Sequence, residues 1–248
     1  MHKAFFEYKG INSLDMHLKI LNDISFPSPE SDIEFIEVAG KDGELAISKD
    51  RLKSVDFPIP VHLHLPRKTD VAYMSGKISE WLKTDVDWHP FKFSGLKDYE
   101  YQAICYEQFD IQETLANFGK TVITFTLKPI RKLSDDNLRD DNLREVLNGQ
   151  SIINPMKRPG KPLIYIEGSG PITLKNNGVD WLKLNSIDGN ITIDSELMTV
   201  YKGNSSHFHK MLSTLRPLFP ILNHKENVIT WTGNITKLVI DPRWSVIV

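Results

Sequence analysis

The segment from Ser25 to Leu45 constrains the fold of this chain more than any other stretch. It opens with two prolines, which exclude a helix and hold the backbone extended. Apolar residues then recur at every second position in two pairs, with one shift of phase between the pairs, and two turn-favouring glycines follow. These positions are Pro27, Pro29, Ile33, Phe35, Ile36, Val38, Gly40 and Gly43. The pattern predicts a long β-hairpin, in which the shift of phase marks a bulge or a strand that buries both faces in turn.

The composition argues against several classes of protein. The chain has 248 residues and a formal net charge of −2, so no overall basic surface indicates nucleic-acid binding. Cys105 is the single cysteine, which rules out an intramolecular disulfide and is typical of a protein made in the cytosol. No run approaches the ~20 apolar residues that a membrane-spanning helix needs. The first residues also lack the apolar run of a secretory signal.

The first half of the chain predicts an α+β fold made mainly of strands. Alternating segments at 61–65, 91–93, 100–107 and 121–127 predict strands, whereas the polar segment 49–57 predicts a short helix or irregular structure. Residues 70–83 predict one helix that covers the sheet, capped by Thr69 or Asp70, because their apolar residues form one stripe. The stripe consists of Val71, Met74, Ile78, Trp81 and Leu82.

The second half predicts strands throughout. Short alternating segments separated by turn residues, beginning at Leu163, are typical of a β-sandwich. Asp188-Gly189 and Gly233-Asn234 predict hairpin turns, because both supply residues that tolerate positive φ. Residues 133–162 differ in character, with a short helix expected between Leu138 and Leu147. We therefore predict a first domain over 1–132, a junction over 133–162 and a second domain over 163–248.

The sequence offers few residues for chemistry. It has no phosphate-binding glycine loop and no exposed nucleophile turn, so we expect no catalytic residues, metal or cofactor and no enzyme. Two histidine pairs with strand spacing lack the third and fourth ligands of a zinc site, and a solvated face explains them more simply. Tryptophans of the second half are either core residues or, on an open sheet face, platforms for sugar rings. The histidines are His62, His64, His207 and His209, and the candidate glycan contacts are Trp181, Trp231 and Arg243.

Both ends of the chain resemble one family. The start combines Phe5-Phe6, the run from Tyr8 to Ser13 and the predicted hairpin. The end carries Phe219-Pro220-Ile221-Leu222, Asn227-Val228-Ile229-Thr230-Trp231-Thr232-Gly233 and Asp241-Pro242-Arg243-Trp244. In this order and separation the motifs resemble the distal tail proteins of long-tailed, non-contractile bacteriophages. The likeness covers nearly the whole chain, and residues 133–162 are the part least similar to the family.

This resemblance implies a structural role. Distal tail proteins form a ring of six copies that joins the tail tube protein to the tail-tip protein, with a galectin-like sandwich that anchors receptor-binding proteins. It implies a location at the virion tail tip after synthesis in the host cytoplasm, DNA that only passes through the ring, and no membrane partner. We expect the hairpin to take part in the ring contact. The expected interface residues are Asp32, Glu34, Phe35, Glu37, Lys41, Asp42 and Glu44.

The alternative is a carbohydrate-binding module that attaches to polysaccharide of the host cell wall. It would use the tryptophans of the second half, with Arg243 as a polar contact. Glycan binding that is lost on replacing Trp181 or Trp231 by alanine would favour this alternative.

Overall fold

A computed structural model describes residues 4–21, 24–66, 69–115, 118–133, 144–212 and 217–248. These residues fall into two compact units, Met1–Arg131 with Ile247–Val248, and Lys132–Val246. Strands dominate both units, which confirms the mainly-β fold class. Of the predicted junction, residues 144–162 belong to the second unit and 134–143 lie outside the described residues. Independent folding of the two units as domains stays a prediction.

The first unit is built on an antiparallel sheet that carries one helix. In the sheet the strand order is β2-β1-β7-β8-β10-β6-β3, with β9 beside β10. A separate two-stranded sheet pairs β4 with β5. The elements are β1 (Phe6–Tyr8), β2 (Ile11–Asn12), β3 (Leu18–Ile20), β4 (Ser31–Glu37), β5 (Glu44–Leu52), β6 (Val55–His64), α1 (Val71–Lys83), β7 (His89–Phe93), β8 (Tyr99–Ile104), β9 (Gln112–Leu115) and β10 (Phe118–Leu127). Strand β11 (Ile130–Leu133) spans the division between the units.

The helix prediction is confirmed in its bounds, cap and buried face. The Asp70 side chain accepts a hydrogen bond from the Ala72 N–H, and all five residues of the apolar stripe are buried. Among them, Trp81 stacks on Phe6 at 5.9 Å between ring centroids and donates its indole N–H to the Tyr8 carbonyl. An indole with both its face and its N–H satisfied fixes the helix to the sheet.

The expectation of a helix or irregular structure at 49–57 is wrong. Strands β5 and β6 cover most of that segment, and β6 continues the alternation of buried residues from Val55 to Leu63. Pro58 and Pro60 lie within β6, where proline normally breaks a ladder. Pro60 is tolerated because its carbonyl accepts from the Leu21 N–H, so this residue faces away from β10 and costs no hydrogen bond to β10.

The second unit is one bent antiparallel sheet of seven strands. Its order is β12-β18-β14-β15-β16-β17, with β13 also paired to β18. The strands are β12 (Arg144–Glu145), β13 (Gln150–Asn154), β14 (Leu163–Asn176), β15 (Val179–Asp194), β16 (Thr199–Lys202), β17 (Ser205–Ser206) and β18 (Lys225–Asp241). Strand β19 (Ser245–Ile247) crosses into the last residues of the first unit and is not part of this seven-stranded sheet. A 3-10 turn spans Phe208–Lys210. Positions 138 and 143 of the expected short helix lie outside the described residues, and Arg144–Glu145 form a strand instead.

Both predicted hairpin turns of the second unit are wrong. Gly189 lies inside β15 and Gly233 inside β18, although both have positive φ, 82° and 104°. The ladder of β14 with β18 shifts register beside Gly233, where an added Cβ would lie 2.4 Å from the Pro171 carbonyl oxygen. The glycines therefore bend long strands that approach each other closely. The chain instead reverses at Asn177-Gly178, both with positive φ, between paired Asn176 and Val179.

Candidate assembly surface

The β4–β5 hairpin exposes an apolar surface on both of its sides. Its apolar side chains are between 39% (Ile36) and 60% (Phe35) exposed, and the two strands form a sheet of their own. The exposed residues are Ile33, Phe35, Ile36, Val38, Leu45 and Ile47. A two-stranded ribbon without a covering layer is marginally stable in water. The hairpin prediction is thus confirmed, and among the described residues neither side of the ribbon is covered.

The register of the ladder assigns each residue to a side. Ile33, Phe35 and Glu37 lie opposite Ser48, Ala46 and Glu44. Because residues directly opposite share a side of an antiparallel ribbon, these six form one surface, called here the Phe35 face. Glu34 and Ile36 lie opposite Ile47 and Leu45 on the other surface, the Leu45 face. The shift of phase seen in the sequence therefore places apolar residues on both faces. The register is unbroken from Ile33 to Glu37, so the bulge expected there is absent, and the irregularity falls at Ser31/Ile33.

Ion pairs hold the base of the hairpin. Arg51 Nε donates to Asp32 Oδ2 at 2.6 Å, and Lys53 Nζ lies 3.2 Å from Glu30 Oε2. The hydrogen bond from Arg51 is the main reason why the pKa of Asp32 lies below its ordinary value, against a smaller opposing effect of burial. Asp32 is therefore engaged in an ion pair within the hairpin.

The tip of the hairpin has the opposite electrostatic character. Glu37 lies directly opposite Glu44, and like charges in that position destabilise a ribbon. Lys41 and Asp42 are exposed in the connecting turn. The two glutamates extend the Phe35 face with negative charge, so this face combines an aromatic side chain with an acidic tip that a cation would stabilise.

Of the seven residues predicted for the interface, six are exposed and Asp32 is not. Sequence reasoning selected the charged positions and Phe35, but it left out five exposed apolar residues of the same hairpin. These are Ile33, Ile36, Val38, Leu45 and Ile47. Their alternation was visible in the sequence, whereas the absence of a covering layer was not. The role of the set in an interface stays a prediction.

The candidate glycan contacts do not form an open platform. Trp181 is 8% exposed, and its indole N–H donates to the Ile221 carbonyl, as expected for a core tryptophan. The Arg243 guanidinium binds the Asp194 carboxylate through two bonds of 2.9 and 3.0 Å. Trp231 is partly buried against the core of the second unit. Two of the three candidates are thus occupied by contacts within the unit.

The single cysteine and the histidine pair at 207 and 209 do not form a reactive or metal-binding site among the described residues. Cys105 is 2% exposed, and burial raises the pKa of its thiol to about 11, so little nucleophilic thiolate forms near neutral pH. His207 and His209 have ring centroids 5.6 Å apart. Within the described ranges, no three side chains of His, Cys, Asp or Glu are grouped as metal ligands. In the same residues no helix has the length and apolar character needed to cross a membrane.

Comparison with known proteins finds a similar fold among solved structures but no similar sequence. No protein-family model matches the chain, and no curated protein matches it. Among solved structures it resembles the Dit protein of phage SPP1, described as a paradigm of the hub adsorption apparatus in phages that infect Gram-positive bacteria. The TM-score is 0.74 at 12% identity, over 99% of this chain and 100% of SPP1 Dit. The chain has the Dit fold.

The match over both full lengths confirms, at the level of the fold, the resemblance to distal tail proteins that the two ends of the sequence indicated. Two structures of the baseplate of phage p2, with Ca and with Sr, also match this chain. They cover 97% and 99% of it at TM-scores of 0.46 and 0.45 and identities of 9% and 8%. The Dit fold thus rests on the SPP1 comparison.

Proposed function

We propose that this chain is a structural component of a phage tail tip, in which six copies form a ring that joins the tail tube to the tail-tip protein. The observation that carries this proposal is the Dit fold over the whole length of both chains. SPP1 Dit is described as a hub of an adsorption apparatus, and the same role for this chain requires binding surfaces rather than catalytic groups.

The β4–β5 hairpin supports self-assembly. Its six exposed apolar side chains are shared between the two faces of one ribbon, and exposed apolar surface that is grouped in this way marks interaction sites in soluble proteins. Closing a ring requires a head-to-tail contact between two different surfaces of the same chain. A two-stranded sheet with exposed side chains on both faces suits one half of such a contact, because those side chains can pack against a neighbour.

We assign the second unit to the outside of the ring as a galectin-like sandwich that holds receptor-binding proteins. Its long bent strands build a core of their own, including Ile166, Leu174 and Leu238, so the unit has no need of the hairpin for its stability. DNA would pass through the ring without being held. The net charge of −2 suits that passage, because a strongly basic lumen would retain phosphates.

Native mass spectrometry over a range of protein concentrations, with negative-stain images of the large species, tests the proposal. We expect wild type to form six-copy rings with a central hole. Replacing Glu34 and Glu37 together by lysine should leave monomers, because it reverses the charge of the ribbon. The matched control replaces Glu80 and Glu113, exposed residues of the first unit outside the hairpin, by lysine and should still form rings.

Two results would count against the proposal. Wild type that stays monomeric at all concentrations contradicts self-assembly into a ring. If the hairpin double variant assembles like wild type, the ring stands and the hairpin is not part of its contact.

A further inference from the structure

A pocket in the first unit has the properties needed to receive an aromatic side chain. Its volume is about 320 Å³, and most of its lining is apolar, including Phe26, Phe57, Leu96 and Leu127. The rings of Phe26 and Phe57 lie 5.9 Å apart and form an aromatic wall. A cavity of about 150 Å³ with apolar walls is enough to bind benzene, so a phenylalanine ring fits here.

Arg131 gives the pocket a positive charge. Its Nη1 donates to the Tyr101 hydroxyl at 2.6 Å, and its guanidinium carbon lies 4.2 Å from the centroid of the Tyr99 ring. Its Nε is buried and has no hydrogen-bond partner among the described residues. This Nε is closed to a ligand, but Arg131 lines the pocket, and the positive charge of its guanidinium would attract a carboxylate brought there. We call this site the Arg131 pocket.

The Phe35 face of the hairpin has the complementary features. Phe35 is 60% exposed, and Glu37 and Glu44 lie beside each other at the acidic end of the same face. An apolar side chain flanked by two carboxylates matches an apolar pocket with one guanidinium. Both surfaces belong to the first unit, at different positions, as a head-to-tail contact requires.

The pocket cannot be filled by Phe35 of the same chain. Ser28 lines the pocket, and Phe35 follows it by seven residues of extended chain, about 23 Å at ~3.3 Å per residue. Phe35 is also held in the ladder opposite Ala46, so folding back would break the hairpin.

We propose that the Arg131 pocket receives Phe35 of a second copy of this chain, with Arg131 facing the Glu37 and Glu44 carboxylates. This inference rests on the proposed ring, and it adds the acceptor surface to that ring. Each copy then binds one neighbour through its hairpin and the other neighbour through its pocket. Repeating this head-to-tail contact by rotation allows the copies to close into a ring. The pocket is built from residues distant in sequence, from Phe26 to Arg131, and forms only in the folded unit.

The experiment uses two variants that each destroy one half of the contact. Phe35→Asp removes the inserted ring, whereas Ser28→Trp fills the pocket from an exposed position on its lining. Each variant alone should be monomeric by native mass spectrometry. An equal mixture should form dimers but no rings, because one intact hairpin meets one intact pocket. We expect Phe35→Ala to raise the concentration needed for half-assembly by about 30-fold or more.

Cross-linking gives a measurement that captures the contact covalently even where the replacement of Phe35 has weakened it. A copy carrying Phe35→Cys is mixed with a copy carrying Ser28→Cys and treated with a short bis-maleimide. We expect a covalent dimer from the mixture and not from either copy alone. Cys105 is buried and should not react in the folded protein.

Matched controls distinguish loss of the pocket contact from the general effects of adding a tryptophan or removing an aromatic side chain. Val122→Trp adds the same side chain to an exposed strand position, and Tyr73→Asp removes an aromatic residue that is as exposed as Phe35. Both should form rings. If wild type forms rings and Ser28→Trp also does, without the cross-linked dimer, the pocket assignment is wrong and the ring proposal stands. Wild type that never assembles overturns both.

Discussion

Two ribbons of this protein have the same local design and opposite surroundings. Strands β4 and β5 reverse through a turn that contains Gly40 and Gly43, and β14 and β15 reverse at Asn177-Gly178. In β14 the alternating apolar residues Ile164, Ile166, Ile172 and Leu174 are all buried. In the β4–β5 hairpin the corresponding residues are exposed on both faces. The difference therefore lies in what covers the ribbon and not in how it forms.

The comparison indicates where stability and assembly are encoded. Apolar residues of the β14–β15 ribbon contribute to folding of the second unit, because burial removes their surface from water within one chain. The same residue types in the β4–β5 hairpin can make that contribution only when a partner covers them. We therefore expect substitutions in β14–β15 to change the free energy of unfolding, and those in β4–β5 to change assembly.

The largest expected difference concerns two arginine–aspartate pairs. In the second unit the Asp194 side chain is 4% exposed and holds Arg243, whereas in the hairpin Arg51 is mostly exposed beside Asp32. Arg243→Ala leaves a buried carboxylate without its cation and should lower the free energy of unfolding by about 3–5 kcal/mol. Arg51→Ala should change it little. Denaturant unfolding followed by tryptophan fluorescence measures both, and equal effects would contradict the distinction.

Leucine truncation compares the two ribbons directly. Leu174 of β14 is fully buried, and Leu45 of β5 is 44% exposed. Leu174→Ala should destabilise the second unit by about 3 kcal/mol, since it removes buried apolar surface and leaves a cavity. Leu45→Ala should leave the unfolding midpoint of the dilute monomer near that of wild type and raise the concentration needed for assembly. A large loss of monomer stability from Leu45→Ala would show that the hairpin is covered within its own chain.

Glycine substitution separates a bend from a turn. Both Gly233 and Gly43 have positive φ, but a Cβ at Gly233 meets the Pro171 carbonyl oxygen at 2.4 Å, while none lies within 4 Å at Gly43. We expect Gly233→Ala to destabilise the second unit by at least about 2 kcal/mol, and Gly43→Ala to cost about 1 kcal/mol from backbone strain alone. Hydrogen exchange of β14 and β18 gives the local readout. Unchanged protection in Gly233→Ala would show that the strands can separate there without cost.

Sequence patterns predicted what short segments determine locally. The helix at 71–83 followed from its stripe of five apolar residues and the Asp70 cap, and the β4–β5 hairpin from its alternation. The wrong turns at Gly189 and Gly233 have a physical reason, since glycine indicates positive φ but not whether the chain reverses or only bends. The strand through Pro58 and Pro60 was missed because the sequence does not show which neighbouring strand each residue of β6 faces, and therefore not whether a proline there removes a hydrogen bond.

The candidate interface was also predictable from the sequence only in part. The exposed face of the hairpin was predictable in its charged positions, because they lie in one continuous stretch. The Arg131 pocket was not, because Phe26, Leu96 and Arg131 come together only through the tertiary fold. The burial of Asp32 was not visible in the sequence, since its ion pair with Arg51 depends on the register of the two strands.

The smallest expected effect is a difference in the pH dependence of stability. Burial alone would raise the pKa of Asp194, but hydrogen bonds from Arg243 and from the Leu197 and Glu196 N–H groups outweigh it, so its pKa lies below the ordinary 3.8. A carboxyl whose pKa is lower in the folded than in the unfolded chain stabilises the fold at pH values above its unfolded-state pKa. That contribution is lost as the pH falls through its folded-state pKa. The second unit of wild type should therefore lose stability as the pH falls below 3.8. In Asp194→Asn this loss should be shallower and should start from a lower stability. Asp32→Asn should leave the acid response of the second unit as in wild type, because Asp32 belongs to the first unit. Unfolding free energies from about pH 6 to about pH 2.5 measure these slopes. Parallel slopes for wild type and Asp194→Asn would mean that other carboxylates dominate the acid response.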